Sequence, residues 1–138
     1  MSLAAILERE GYAVDMAETG AQALQKCRDK HFDLALVDMR LPDMMGTDLL
    51  KKLPGTTPKM ARIIVTGYPS LQNAIESVNE GADGYILKPV EAENLLTTIR
   101  KHLQKREDDA KYSEKKVAEY LETRTKELMR DKQGGKPS

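Results

Sequence analysis

Three polar residues each stand directly after a short apolar run of the chain. They are Asp38 after residues 34–37, Thr66 after residues 63–65, and Lys88 after residues 85–87. An aspartate carboxylate can attack the phosphorus atom of a phosphoryl group. A threonine hydroxyl can donate a hydrogen bond to one phosphoryl oxygen, and a lysine ammonium can form an ion pair with another phosphoryl oxygen. Each residue alone is an ordinary polar end to an apolar run. The three together predict a site for phosphoryl transfer.

Short apolar runs alternate with amphipathic stretches up to about residue 103. The runs predict strands at residues 13–17, 34–37, 63–65 and 84–87. Helical spacing of apolar residues predicts helices at residues 3–10, from Thr19 as N-cap to about 30, at 46–53, from 71 to a stop at Gly81, and at 92–103. This alternation predicts an α/β domain with a parallel sheet. The carboxyl ends of parallel strands share one rim, so the three polar residues should converge there.

Three segments resemble those of a known family, the receiver domains of two-component response regulators. Residues 36–46, Leu-Val-Asp-Met-Arg-Leu-Pro-Asp-Met-Met-Gly, resemble its phosphoacceptor segment, and residues 64–67 resemble its switch threonine segment. Residues 87–89 resemble its lysine and the following proline, whose peptide bond is cis in the family. The resemblance covers about residues 3–103 and implies a doubly wound, flavodoxin-like sheet with strand order 2-1-3-4-5.

The resemblance also implies roles for individual side chains. A histidine kinase or phosphotransfer protein would phosphorylate Asp38, Thr66 would turn its hydroxyl toward the phosphoryl group, and Lys88 would be its cationic partner. Tyr85 matches the aromatic switch position. We therefore expect a signalling switch and not an enzyme; a phosphatase of the haloacid dehalogenase type has a second aspartate where this chain has Arg40. The alternative is a receiver-like binding or dimerisation module that is not phosphorylated.

The resemblance implies a Mg²⁺ site that this sequence does not complete. Receivers begin with a strand that ends in an acidic pair, whereas this chain begins inside the expected first helix. Asp38 and the backbone carbonyl of Arg40 are the only expected protein ligands, so we expect Mg²⁺ binding to be weakened or lost. The absent strand would lie between residues 13–17 and 34–37. We expect a truncated or wrongly assigned start, or else a naturally shortened receiver.

The composition of the chain changes near residue 104. Residues 104–132 contain 17 charged residues, nine basic and eight acidic, without glycine or proline, which predicts a solvated helix that continues the preceding one. Ala110, Val117, Leu121 and Leu128 form a thin apolar stripe that suits a partner helix, unless the helix remains solitary. We expect a receiver at residues 1–103, a helical extension at 104–132 and a disordered tail at 133–138.

Composition also restricts the partners of the protein. The 22 basic and 22 acidic residues cancel, and no apolar run is long enough to span a membrane, so neither a nucleic acid nor a membrane is expected as a partner. With one cysteine, Cys27, no internal disulfide can form, and we expect a cytoplasmic protein with this thiol in its core. We also expect a homodimer, since unpaired strand edges and the apolar stripe both favour self-association.

Overall fold

The computed structural model describes residues 2–56 and 59–133, with side chains as far as residue 130. Two helices come first, and strands and helices alternate after them: α1 (Leu3–Arg9), α2 (Gly20–Asp29), β1 (Leu34–Asp38), α3 (Gly46–Lys52), β2 (Ala61–Thr66), α4 (Leu71–Asn79), β3 (Gly84–Leu87) and α5 (Ala92–Gln133). The predicted α/β class and the long helical extension are confirmed. No helix in the described part of the chain is long and apolar enough to cross a membrane. Of the predicted disordered tail, residues 134–138 lie outside the described residues, and Gln133 ends α5.

Within the described residues the sheet has three parallel strands in the order β1-β2-β3. All six residues of the central strand β2 are buried. One apolar cluster contains Val37 and Ile64 with residues of α2 and α3, and a second contains Ile63, Val65 and Ile86 with residues of α5. Alternate side chains of β2 therefore enter opposite clusters, as expected for a strand that is covered on both faces.

The predicted strand at residues 13–17 does not form. In the structure these residues follow α1 without regular secondary structure, and β1 is an edge strand of the described sheet. A strand persists only when its backbone groups find partners in a neighbouring strand. Within the described residues no strand lies beside this segment. The mainly apolar composition of residues 13–17 is therefore insufficient to make a strand.

Helix ends follow local signals in the sequence. Thr19 is the N-cap of α2, where its Oγ1 accepts a hydrogen bond from the Gln22 amide at 3.1 Å. Gly81 follows α4 with a φ of 98°, in the left-handed region that favours glycine, so the helix ends there. Cys27 is half-buried beside the first cluster, and burial raises the pKa of its thiol. This position agrees with the predicted packing role.

The chain divides into two compact units, Met1–Arg106 and Glu107–Ser138. The first contains the sheet and both apolar clusters. The second is the carboxyl-terminal part of α5, whose described side chains beyond Ala110 are all exposed. Ion pairs four residues apart join Glu107 to Lys111 and Glu122 to Lys126 on its surface. Each such pair adds a few tenths of a kcal/mol to helix stability.

The loop between β1 and α3 is held at both of its ends. Near α2, the Asp43 carboxylate accepts hydrogen bonds from the backbone amides of Gly20 at 2.8 Å and Ala21 at 3.0 Å. These bonds, with Gly20 the larger contributor, lower the pKa of Asp43. Near α3, Gly46 donates its amide to the Met39 carbonyl at 2.6 Å. The loop is therefore tied to the first turn of two helices.

We predict that Gly46→Ala destabilises the protein by about 1–3 kcal/mol, the usual cost of overpacking. A Cβ atom at Gly46 would lie 2.4 Å from the backbone oxygen of Asp38, and backbone cannot move aside as a flexible side chain can. Gly55→Ala is the matched control, because its Cβ would meet none of the described residues within 4 Å. Urea unfolding of both variants measures the difference. Equal stability of the two would contradict the close approach.

We predict that Asp43→Ala lowers the melting temperature at pH 7 and that this difference shrinks in acid. The pKa of Asp43 is lower in the folded chain than its ordinary value of about 3.9. The carboxylate therefore stabilises the fold above that value and loses this effect as the pH falls through the folded-state pKa. Thermal unfolding across the acid range measures the difference, with Asp109→Ala on α5 as the control. A difference that is constant with pH would mean that the charged cap contributes nothing.

Candidate functional site

The carboxyl ends of the three strands form the rim at which the predicted residues meet. Asp38 ends β1, Thr66 ends β2, and Lys88 directly follows β3. Backbone hydrogen bonds extend the pairing past the strand ends, from Met39 N to the Val65 carbonyl at 2.9 Å and from Lys88 N to the Thr66 carbonyl at 2.8 Å. The parallel register therefore fixes these three positions on one edge of the sheet.

Asp38 and Lys88 are in direct contact. The Lys88 Nζ atom lies 2.8 Å from the Asp38 Oδ1 atom, and each side chain is 48% exposed. A pair this exposed adds at most about 1 kcal/mol to stability, because water screens it. Its consequence is positional, since it holds an ammonium group against a carboxylate that solvent and other molecules can still reach.

Thr66 belongs to the same rim but is buried. Its Oγ1 accepts a hydrogen bond from the backbone amide of Tyr68 at 3.1 Å. A hydroxyl has one proton to donate in addition to its accepting lone pairs. Thr66 can therefore donate to a new acceptor at the rim while it accepts from Tyr68.

Tyr85 lies on β3 with its ring packed against the first apolar cluster. Its hydroxyl oxygen is buried and has no hydrogen-bond partner within the described residues. A buried hydroxyl without a hydrogen-bond partner is unfavourable, so the hydroxyl group does not stabilise this conformation of Tyr85. The described conformation is therefore one that Tyr85 can leave at low cost in hydrogen bonding.

The Arg40 side chain makes a contact that sequence reasoning missed. Its guanidinium lies 4.6 Å from the centre of the Tyr68 ring, in a cation–π contact. For the predicted site, Arg40 was expected to contribute only its backbone carbonyl. Arg40 follows Asp38 by two residues, and Tyr68 follows Thr66 by two residues. Because Asp38 and Thr66 end neighbouring strands, these equal spacings were the sequence signal that could have predicted the contact.

The described residues do not complete a Mg²⁺ site. No group of three or more Asp, Glu, His or Cys side chains is arranged there to hold a metal ion. The Asp38 carboxylate already pairs with Lys88. Asp15, in the middle of the predicted strand at residues 13–17, pairs with Lys26 at 2.6 Å. The hydrogen bond from Lys26 is the main cause that lowers the pKa of Asp15. The donors present therefore amount to one carboxylate and backbone carbonyl groups, which is too few for a dedicated site.

Comparison with known proteins agrees with this geometry. The family model of the response regulator receiver domain matches residues 1–100. The transcriptional regulatory protein ZraR of Escherichia coli K12 is 39% identical over 101 residues, which cover 73% of this chain and 23% of ZraR. The chain thus spans about a quarter of the length of this curated relative.

Solved structures of receivers share the fold. A CheY-like receiver domain protein from Methanospirillum hungatei is 47% identical with a TM-score of 0.73, over 77% of this chain and 85% of that one. A response regulator protein from Burkholderia pseudomallei, whose structure contains a phosphorylated aspartic acid, a calcium ion and citrate, is 28% identical with a TM-score of 0.66. That match covers 97% of this chain and 78% of the other.

The predicted lysine–proline segment completes the agreement, because the peptide bond between Lys88 and Pro89 is cis. The sheet, the rim and the family match all concern the same hundred residues. The chain belongs to the receiver domain family of two-component response regulators.

Proposed function

We propose that Asp38 accepts a phosphoryl group from the phosphohistidine of a histidine kinase or phosphotransfer protein. A carboxylate oxygen of Asp38 attacks phosphorus, the phosphorus–nitrogen bond breaks, and the imidazole nitrogen keeps its electron pair. The observation that carries this proposal is the half-exposed Asp38 carboxylate, held 2.8 Å from the Lys88 ammonium. A cation at this distance compensates the negative charge that transfer brings to the rim.

Lys88 and Thr66 would then detect the added charge. The Lys88 ammonium would move from the carboxylate to a phosphoryl oxygen, and the Thr66 hydroxyl would donate to another. Backbone pairing already joins the two residues at 2.8 Å, so their movements are coupled. The phosphorylated aspartic acid in the similar Burkholderia pseudomallei structure supports this use of the rim.

The partner surface that we propose lies on α4. The helical spacing of its apolar residues agrees with the sequence prediction, but three of them face solvent: Leu71, Ile75 and Val78. The buried side of the helix carries Ser77, whose hydroxyl donates to the Asn73 carbonyl at 2.7 Å. Because α4 begins five residues after Thr66, a shift of that hydroxyl can reach the start of the helix. Tyr85 would move with it as the aromatic switch.

A second candidate function is a binding module that is not phosphorylated. The observation in its favour is the lack of a carboxylate cluster for Mg²⁺ among the described residues. Receivers generally bind this ion, and the Asp38 carboxylate with the Arg40 carbonyl would be its incomplete site here. Phosphorylation and its absence lead to different outcomes in the same labelling experiment.

We further propose how the chain takes part in a larger system. Receiver domains are generally non-enzymatic and cytoplasmic, and we assign both properties to this chain. ZraR is named as a transcriptional regulator, and this chain matches a quarter of it, so an output function would belong to another part of such a regulator. The second partner that we propose is another copy of this chain, bound through the carboxyl-terminal part of α5.

We predict that acetyl phosphate adds one phosphoryl group to the chain, because the Lys88 ammonium compensates charge at Asp38, and that Asp38→Asn removes this modification. Intact-mass measurement counts the group, and its loss in hydroxylamine identifies an acyl phosphate. Asp109→Asn, which removes an exposed carboxylate from α5, should be labelled as the unaltered chain is. Labelling that persists in Asp38→Asn would contradict the assignment, and no labelling of any form would favour the binding module.

We predict little or no Mg²⁺ binding at millimolar concentration, because a single carboxylate cannot replace the hydration shell of an ion that dehydrates reluctantly. Isothermal titration calorimetry of the chain measures the affinity, with Asp38→Asn as the reference that lacks the carboxylate. Clear binding that Asp38→Asn abolishes would show that the site is complete without an acidic pair.

A further inference from the structure

One face of the second compact unit carries side chains at regular heptad spacing. Its positions alternate by four and three residues: Ala110, Glu114, Val117, Leu121, Arg124 and Leu128. The exposed fractions of Val117, Leu121 and Leu128 are 58%, 57% and 54%. We call these six residues the α5 stripe. Its larger apolar side chains face solvent in the described chain, which leaves room for a partner helix.

The α5 stripe is symmetric about residue 119 in a way that includes its charges. Val117 and Leu121 lie two residues on either side of that point, and Glu114 and Arg124 lie five residues on either side. Ala110 and Leu128 complete the set at nine residues. A second, identical helix that runs in the opposite direction therefore places its apolar residues opposite the apolar residues of the first helix. It also places each glutamate opposite an arginine.

This symmetry distinguishes the two orientations that a pair of identical helices can take. Parallel helices in register would place Glu114 against Glu114 and Arg124 against Arg124, both pairs of like charges. Antiparallel helices would place Glu114 of each copy against Arg124 of the other. Like charges at facing positions repel and opposite charges attract, so the antiparallel arrangement is favoured.

We propose that a second copy of this chain binds the α5 stripe in antiparallel orientation, with two Glu114–Arg124 ion pairs between the copies. This rests on the self-association proposed above and adds its orientation and register. The interface is isologous, as a two-fold axis near residue 119 requires. Residues 107–131 of the two copies overlap along about 36 Å of helix, at 1.5 Å per residue.

The positions that flank the α5 stripe are compatible with this register. Around the two-fold axis they bring Ala118 near Ala118 and Tyr120 near Tyr120 of the other copy. Farther out, Lys111 comes near Thr125 and Ser113 near Glu127, so no like charges meet there.

Arg124 changes its partner when the copies associate. In the single helix its Nη1 atom lies 3.0 Å from Glu127 Oε2, and both side chains are about half exposed. An exposed pair of this kind costs little to break. The stripe has only four apolar residues per copy, so we expect weak association in which the ion pairs decide the orientation and added salt reduces their effect.

The test is sedimentation equilibrium of the full chain without a phosphodonor. We expect Glu114→Arg and Arg124→Glu each to weaken dimerisation about tenfold, because each turns two attractions into two repulsions. The double variant Glu114→Arg/Arg124→Glu should restore the unaltered affinity. Glu119→Arg, on the opposite face of α5, makes the same change in net charge as Glu114→Arg and should have no effect. Circular dichroism verifies that each variant remains helical.

Disulfide trapping measures the orientation directly. In a Cys27→Ser background, chains with Ala110→Cys are mixed with chains carrying Leu128→Cys and oxidised. Antiparallel pairing should give mainly the mixed disulfide, which mass spectrometry separates from the two symmetric ones. Parallel pairing would give the symmetric disulfides at each position.

The possible failures can be told apart. A chain that stays monomeric at high concentration overturns self-association and this arrangement together. A dimer that is insensitive to the single charge reversals, or that gives symmetric disulfides, overturns the antiparallel register alone. Neither result bears on phosphorylation of Asp38, because no phosphodonor is present.

Discussion

The parallel pairing of β2 with both of its neighbours is the constraint on which the rest of the receiver depends. Every residue of β2 is buried, so its backbone groups must find partners in β1 and β3. That pairing brings the ends of the strands to one rim, where Asp38 and Lys88 meet. The chemistry of the site is thus a consequence of register, because three residues that are distant in sequence are brought to one rim where the three strands end.

The parts of this structure that follow from local sequence were predictable. Continuous apolar runs identified all three strands that form, Thr19 identified a helix start, and Gly81 identified a helix stop. The convergence of Asp38, Thr66 and Lys88 followed from the general geometry of parallel sheets. The element type and the position of the site therefore depended on patterns within a few residues of each feature.

The parts that depend on distant partners were not predictable in the same way. Residues 13–17 were predicted as a strand from their mainly apolar composition, but the described part of the chain has no strand beside them, so they remain irregular. Arg62 is charged yet buried within β2, and its guanidinium donates to the carbonyls of Leu50 and Pro54 at 3.2 Å each. The Asp43 cap on α2 joins residues more than 20 positions apart. In each case the deciding contact belongs to another element, which periodicity within one segment does not reveal.

The position of β1 at the edge of the described sheet links two properties that are usually separate. Met39 N bonds to the Val65 carbonyl and Ala61 N to the Asp33 carbonyl, so the odd-numbered residues of β1 face β2. The backbone groups of Leu34, Leu36 and Asp38 therefore point to the open edge, since successive residues of a strand face opposite sides. A strand that paired there in parallel would bring its own carboxyl end beside Asp38. Any segment that stabilised the fold by mass action through this edge would also change the surroundings of Asp38, so the stability of the fold and the reactivity of this carboxylate would respond to one binding event.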